Sequence, residues 1–302
     1  MSILEAILQG IIQGATEFLP VSSSGHLSLA QHFMGTNVEN LWFDVCLHLG
    51  TLVALIAVYH RVVLRLIREF FCLCSDLVTG KFQIRNMAED RQLVCMLILG
   101  LLPLFCLFLP VPGTSFCVKD FASMWATDND IIIEGAAFIM TAVLLAIGIS
   151  RDENGAPKRK RLASLDAFTI GAAQLGAALF PGLSRSGSTL SAGLIRGLNR
   201  QTALDYSFIL GIPSILAAGV ISYRDAMLSS VELAPEIMFS GAASAAIVGF
   251  FAIRLLRWVV GKEKLQYFAW YVFLLGVAVV VIGMMEHSAG INLVTGKALN
   301  FT

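Results

Sequence analysis

The sequence predicts an all-α polytopic membrane protein, with six transmembrane helices and two re-entrant helical hairpins arranged as an inverted-topology repeat. Three observations predict it. Of the 302 residues, 57% are hydrophobic and only 14% are charged, against about 25% charged in a soluble domain. Several apolar runs approach the roughly 20 helical residues that cross a hydrocarbon core. Two Gly-rich segments are interrupted midway by proline, at Pro20 and Pro181.

In chain order, residues 3–35 form the first hairpin, with Pro20 at its break. Crossings are expected at 43–59, 93–111 and 131–149. A second hairpin at 162–199 breaks at Pro181, and crossings follow at 205–222, 236–256 and 265–285. In each hairpin a helix of roughly 17 residues precedes the break and one of about ten follows it, so the second arm is too short to span. The chain is one membrane domain over 1–302, with repeats at about 1–150 and 162–286. The N-terminus is not expected to act as a signal peptide: it lacks a basic lead, and Glu5 and Gln9 interrupt its apolar stretch. Basic and acidic residues balance at 21 each, which implies no nucleic-acid partner. Cys46, Cys72, Cys74, Cys95, Cys106 and Cys117 show no framework or zinc-ligand spacing and read as apolar packing residues.

Charge sets the orientation. Arg61, Arg65, Arg68, Lys81, Arg85 and Arg91 lie in loop 60–92, and Arg151, Lys158, Arg159, Lys160 and Arg161 lie in loop 150–162. Arg254, Arg257, Lys262 and Lys264 lie in loop 254–264. These three alternate loops hold 15 of the 21 basic residues and are expected to be cytoplasmic, which puts both termini outside. Parity then makes the hairpins enter from opposite faces. Self-comparison agrees. At an offset of 161, Gly10, Gln13 and Pro20 match Gly171, Gln174 and Pro181. After one inserted residue, Ser22, Ser24, Gly25 and Gly35 match Ser184, Ser186, Gly187 and Gly197. Asp44, Leu49 and Gly50 match Asp205, Leu210 and Gly211 at the original offset.

The chemistry gathers at the two breaks, Q-G-A-T-E-F-L-P-V-S-S-S-G-H at 13–26 and P-G-L-S-R-S-G-S-T at 181–189. Ionisable groups at membrane depth point to function, and Glu17, His26 and Arg185 all fall here. Each break precedes a short helix whose first N–H groups are unpaired and carry partial positive charge, so two such ends make an anion cradle. Arg185 adds a planar fork suited to phosphate oxygens, or else serves as the structural partner of Glu17. Ser23 and His26 stand three apart at a helix start, a spacing that allows a hydroxyl nucleophile with an imidazole base. Glu17 can orient His26 or hold a divalent cation through a diphosphate, and Gln13 offers an amide one turn earlier. Spacing does not rank these roles. His32, His60 and His287 read as interfacial or loop residues, while Asp44 and His48 read equally as support for the site or as helix-end polarity.

These two loops resemble those of the undecaprenyl pyrophosphate phosphatase family, the bacitracin-resistance type of integral membrane phosphatase. Its motifs are (E/Q)-x-x-x-E, matched by Gln13 and Glu17; P-V-S-S-(S/T)-G-H, matched by Pro20 to His26; and P-G-x-S-R-S-x-x-T, matched by Pro181 to Thr189. The resemblance spans essentially the whole chain. It implies the inverted-repeat fold, a homodimer in the bacterial plasma membrane, and an active site open to the periplasmic side. It also implies removal of the terminal phosphate of undecaprenyl pyrophosphate, which recycles the cell-wall carrier lipid. Carried over by position, Ser23 is the nucleophile, His26 the base or proton shuttle, Glu17 an acid/base or metal residue, and Arg185 the phosphate clamp. Gln13, Ser22, Ser24, Gly25, Ser184, Ser186, Gly187 and Thr189 complete the phosphate-binding set. The cofactor implied is a divalent cation, Mg²⁺ or Ca²⁺, with no organic cofactor. Gln13 stands where many members have Glu, which leaves a cation one carboxylate fewer.

The main rival is a polyprenyl-phosphate flippase or transporter, because inverted repeats with broken helices are transporter anatomy. A coupling-ion site would favour it, whereas a Ser/His/Arg/Glu set suits phosphoryl transfer. Acid-phosphatase-like lipid phosphatases need a histidine after the S-R motif, and none follows Arg185 before His287. An intramembrane serine protease would carry G-x-S-G, which does not occur.

Overall fold

The computed structural model describes residues 1–35, 41–81, 87–114, 116–120, 131–153, 158–226 and 234–299. Among them the chain forms ten α-helices and one 3₁₀ segment, with isolated bridges in place of strands. The helices are α1 (Ile3–Thr16), α2 (Ser23–Met34), α3 (Leu41–Val78), α4 (Glu89–Leu101), α5 (Ile132–Glu153), α6 (Ser164–Leu179), α7 (Arg185–Ile195), α8 (Arg200–Ala226), α9 (Pro235–Gly261) and α10 (Gln266–Ala289). The 3₁₀ segment Leu102–Phe108 extends α4. Six helical stretches are long and apolar enough to cross a membrane, beginning at Trp42, Glu89, Ile132, Arg200, Pro235 and Gln266.

The expected spans are all present, and the largest departure is α3. Loop 60–92 was expected to begin at residue 60, but the helix bends at Tyr59 (φ −102°, ψ 16°) and continues to Val78. Its charges recur at helical spacing and dock on the start of α4. Arg65 pairs with Asp90 at 3.1 Å, and Arg91 bridges Glu69 at 3.1 Å and Asp76 at 2.6 Å. At the bend the Tyr59 hydroxyl donates to Asp205, and the Arg257 guanidinium stacks over the Tyr59 ring. The arms of the broken segments also differ from expectation, with 14 and 12 residues in the first and 16 and 11 in the second.

Large apolar side chains face outward along the bundle, including Phe239, Trp270 and Leu274. Polar residues such as Gln13, Gln174 and Thr189 are buried. That inversion suits a lipid solvent. The first helix of each broken segment packs on a helix of the opposite half, α1 on α9 and α6 on α4. Both contacts need glycine, because a Cβ on Gly10 would collide with the Gly241 carbonyl and one on Gly171 with that of Gly100. Close backbone approach of this kind is how helices associate in lipid. At the base of the second segment, buried Asp166 takes Arg159 and Arg196 together, at 2.8 and 2.9 Å. Buried Asp152 likewise takes Arg200 and Lys158.

Candidate active site

Each broken segment ends its first helix, turns over a proline, and restarts on a serine N-cap. In the first, the Gly25 N–H donates to Ser22 Oγ at 3.2 Å; in the second, the Gly187 N–H donates to Ser184 Oγ at 3.0 Å. Serine is favoured at this position because its oxygen satisfies an orphan N–H of the first turn. A second serine hydroxyl lies beside each cap, Ser24 at 3.4 Å and Ser186 at 3.3 Å. Ser22 adopts φ 69°, ψ 101°, a left-handed backbone that costs a non-glycine residue about 1–3 kcal/mol. Ser184 sits at a relaxed φ of −62°.

Glu17 is the hub. It directly follows α1 and is 6% exposed. One carboxylate oxygen accepts the Ser23 hydroxyl at 2.7 Å and the Gln13 amide at 2.9 Å. The other accepts Arg185 Nη2 at 2.6 Å, from a residue 168 positions away on the other segment. Arg185 Nη1 is buried and has no hydrogen-bond partner, and neither has Gln13 Oε1. The guanidinium fits because α8 offers no side chain at Gly211, where a Cβ would strike Arg185 Nη1. His48 Nε2 stands 3.7 Å from the same Glu17 oxygen that holds Ser23, and His48 Nδ1 donates to the Asp44 carbonyl at 2.8 Å.

The structure does not bring Ser23 to His26. The His26 ring turns toward α5 and α10, where it lies edge-on to Phe138 (centroids 5.0 Å apart) and stacked on Tyr271 (5.8 Å). His26 Nδ1 lies 2.7 Å from the Ser22 carbonyl, so it carries a proton, and in the neutral ring Nε2 accepts from the Tyr271 hydroxyl at 2.8 Å. Three expected phosphate ligands also point inward. Ser184 caps α7, Ser186 donates to the Leu19 carbonyl at 2.9 Å, and Thr189 donates to the Arg185 carbonyl at 2.9 Å and meets Ser207. Because Gly25 and Gly187 donate to their own caps, the N–H groups left for an anion are those just ahead of them, at the first positions of α2 and α7.

A family model described as bacitracin resistance protein BacA matches residues 6–278. The chain belongs to the BacA family. Its relatives match it along nearly the whole chain. The undecaprenyl-diphosphatase of Alkaliphilus metalliredigens is 35% identical over 94% of this chain and 100% of its own length. That of Carboxydothermus hydrogenoformans is 34% identical over 93% and 98%, and that of Desulfatibacillum aliphaticivorans 37% over 92% and 98%.

Within this BacA-family site, sequence reasoning missed Tyr271 and left His48 unranked. Tyr271 lies 245 residues from His26 in the apolar body of α10, so no spacing announces it. His48 had a faint signal, one turn after Asp44 near the start of α3. For a divalent cation the fit is partial. Among the described residues, no cluster of three or more His, Cys, Asp or Glu side chains is arranged to hold a metal. Glu17 and the unpartnered Gln13 Oε1 are the protein oxygens on hand, and a Mg²⁺ or Ca²⁺ held there would complete its shell with diphosphate oxygens and water.

Proposed function

We propose that this BacA-family chain hydrolyses undecaprenyl pyrophosphate to undecaprenyl phosphate and inorganic phosphate, recycling the cell-wall carrier lipid, and that Ser23, Glu17 and Arg185 carry the reaction. The observation behind this reading is the Glu17 carboxylate, which joins a hydroxyl from one broken segment to a guanidinium from the other. A carboxylate 2.7 Å from a serine hydroxyl is placed to take its proton. Ser23 Oγ attacks the terminal phosphorus, the bridging P–O bond breaks, and lipid monophosphate leaves. Water then cleaves the phosphoserine to release inorganic phosphate and regenerate the hydroxyl. Arg185 turns its free Nη1 to the phosphoryl oxygens, joined by the first N–H groups of α2 and α7. A divalent cation held by Glu17 and Gln13 would supply Lewis-acid polarisation of the diphosphate.

The architectural reading goes with it. Segments α1–α2 and α6–α7 are re-entrant hairpins, because arms of 11 to 16 residues reach only about 17 to 24 Å into a core about 30 Å thick. The halves 1–150 and 162–286 are inverted repeats, a reading supported by the matched serine caps and the matched contacts of Gly10 and Gly171. Both termini and the site's opening face the periplasm, and the protein is a homodimer. Reporter fusions at Met1 should read outside and fusions at Gly80 inside; a cytoplasmic Met1 overturns the re-entrant assignment.

Phosphate release from the purified, detergent-solubilised protein tests the function directly, with the Glu17→Gln variant as control. Release that Glu17→Gln leaves unchanged would place the chemistry elsewhere. Lipid translocation in vesicles without any phosphate release would favour the flippase.

A further inference from the structure

Helices α5 and α10 run antiparallel and touch closely at one end. A Cβ on Gly276 would lie 2.8 Å from the Gly135 carbonyl oxygen, and one on Gly283 2.6 Å from Ile132. Toward the other end the contact opens into an outward-facing groove of about 440 Å³. Ala142, Val143 and Ala146 from α5 line it together with Ala269, Trp270 and Phe273 from α10. Ser150, Glu153 and Gln266 line the far end, and the rest of the lining is apolar.

One end of the groove approaches His26, at the edge of the candidate active site. Its head lies one helical turn from Phe138 and beside Tyr271, the two rings that clasp His26, and His26 is three residues from Ser23. From Phe138 to Ile149 the α5 wall is roughly 16 Å long. We propose that this groove seats the isoprenyl chain of the substrate, with the diphosphate at Glu17, Ser23 and Arg185 and the first isoprene units passing the His26–Tyr271 pair. The proposal rests on the phosphatase reading above and adds where chain length is sensed. Two properties select a polyprenyl chain. The occupant must present a phosphate at one end of the channel, and beyond that end it must be thin, long and apolar enough to lie along this lining. The groove is thus a specificity element, acting on binding rather than on the phosphoryl step.

Tryptophan substitutions at exposed lining positions test this, and they run from the head of the groove to its foot: Val143→Trp, Ala146→Trp and Ser150→Trp. Each is assayed with undecaprenyl, farnesyl and isopentenyl diphosphate, after thermal unfolding in detergent has shown it folded. Ala146→Trp should raise KM for undecaprenyl diphosphate about tenfold and leave kcat and KM for isopentenyl diphosphate unchanged. Val143→Trp should penalise the farnesyl substrate as well, and Ser150→Trp the undecaprenyl substrate alone. An unchanged KM for undecaprenyl diphosphate in all three variants overturns the proposal, as does an equal rise for all three substrates. Dissociation of a dimer without any chain-length effect also overturns it, assigning the groove to a second copy. A readout independent of turnover uses a benzophenone-bearing farnesyl diphosphate, which should label α5 and α10 in wild type and be displaced by undecaprenyl phosphate. Labelling elsewhere, or labelling insensitive to that competitor, overturns the groove. Correct labelling without phosphate release overturns the phosphatase reading alone.

Discussion

The two broken segments are built alike and furnished differently. Both restart on a serine whose hydroxyl caps a glycine N–H, at 3.2 and 3.0 Å, with a second serine hydroxyl 3.4 or 3.3 Å from the cap. Both bury a glutamine one turn before the end of the first helix, Gln13 and Gln174, and each leaves its amide oxygen unpartnered. At the positions that carry charge the likeness stops. Glu17 aligns with Ala178, and Ser23 aligns with Arg185. The first segment therefore brings an acid and a hydroxyl, and the second brings the cation. A shared frame places the two tips, and divergence at two positions divides the chemistry between them. The Glu17–Arg185 pair exists only because both segments are present.

That division predicts where substitutions hurt most. Ser23→Ala and Glu17→Gln should each cut phosphate release by about a thousandfold or more, because the proposed scheme makes them the attacking oxygen and its proton acceptor. Ala178→Ser, the corresponding position on the second segment, should leave turnover near wild type. If Ser23→Ala keeps a tenth or more of its turnover, water is the attacking group and the covalent scheme is wrong.

Next in size are the changes at the clamp. Arg185→Lys keeps the charge and loses the fork, so turnover should fall about tenfold or more, and Arg185→Ala further. Gly211→Ala should reproduce much of the lysine effect without touching Arg185, because the added methyl displaces Nη1. Gly50, which aligns with Gly211, faces the Ala242 backbone instead, so Gly50→Ala should lower thermal stability. Kinetics and thermal unfolding of these two alanine variants separate an active-site glycine from a packing one. Matched losses of stability at both positions would remove Gly211 from the site.

Much of this was legible in the sequence, and the limits have physical causes. The six apolar helices follow from hydropathy because lipid leaves few other ways to satisfy a backbone. The continuation of α3 past Tyr59 was not legible, since Arg61, Arg65, Arg68 and Glu69 read as a charged loop. Ion pairs to Asp90 and Arg91, with Leu66 and Leu73 buried in the apolar core, make that stretch a docked helix. Within the site, residue types singled out Glu17, Ser23 and Arg185, which the structure brings together, but spacing did not say who bonds to whom. Three residues on a helix permit Ser23 and His26 to meet, yet the ring turns to Phe138 and Tyr271, partners supplied by distant helices. Tertiary packing decided that rotamer.

A smaller effect is therefore expected at His26 than its motif position suggests. His26→Ala should slow turnover several-fold and raise the steady-state level of acid-stable phosphoserine, and Tyr271→Phe should follow in the same direction more weakly. Acid quench with radiolabelled terminal phosphate measures both. Inactivity of His26→Ala on the scale of Ser23→Ala would mean that the ring swings to Ser23 during the reaction.

The smallest effect probes the frame itself. Ser22 and Ser184 cap their helices alike, so replacing either with alanine should cost about 1 kcal/mol of stability. Glycine should tell them apart. At Ser184, with φ −62°, glycine loses the cap and adds freedom to the unfolded chain, so Ser184→Gly should be destabilising. At Ser22, with φ 69°, glycine also loses the cap but relieves a backbone that a side chain adopts at a cost of about 1–3 kcal/mol. Ser22→Gly should accordingly match or exceed wild-type thermal stability and clearly exceed Ser22→Ala, while at Ser184 the two variants should differ little. Turnover should move the other way. A strained tip persists only where its surroundings hold it, and here it aims the next residue, Ser23, at Glu17. Ser22→Gly should thus gain stability and lose activity. Equal glycine-minus-alanine differences at the two caps would mean that Ser22 is not strained, and that the first tip differs from the second in side-chain chemistry alone.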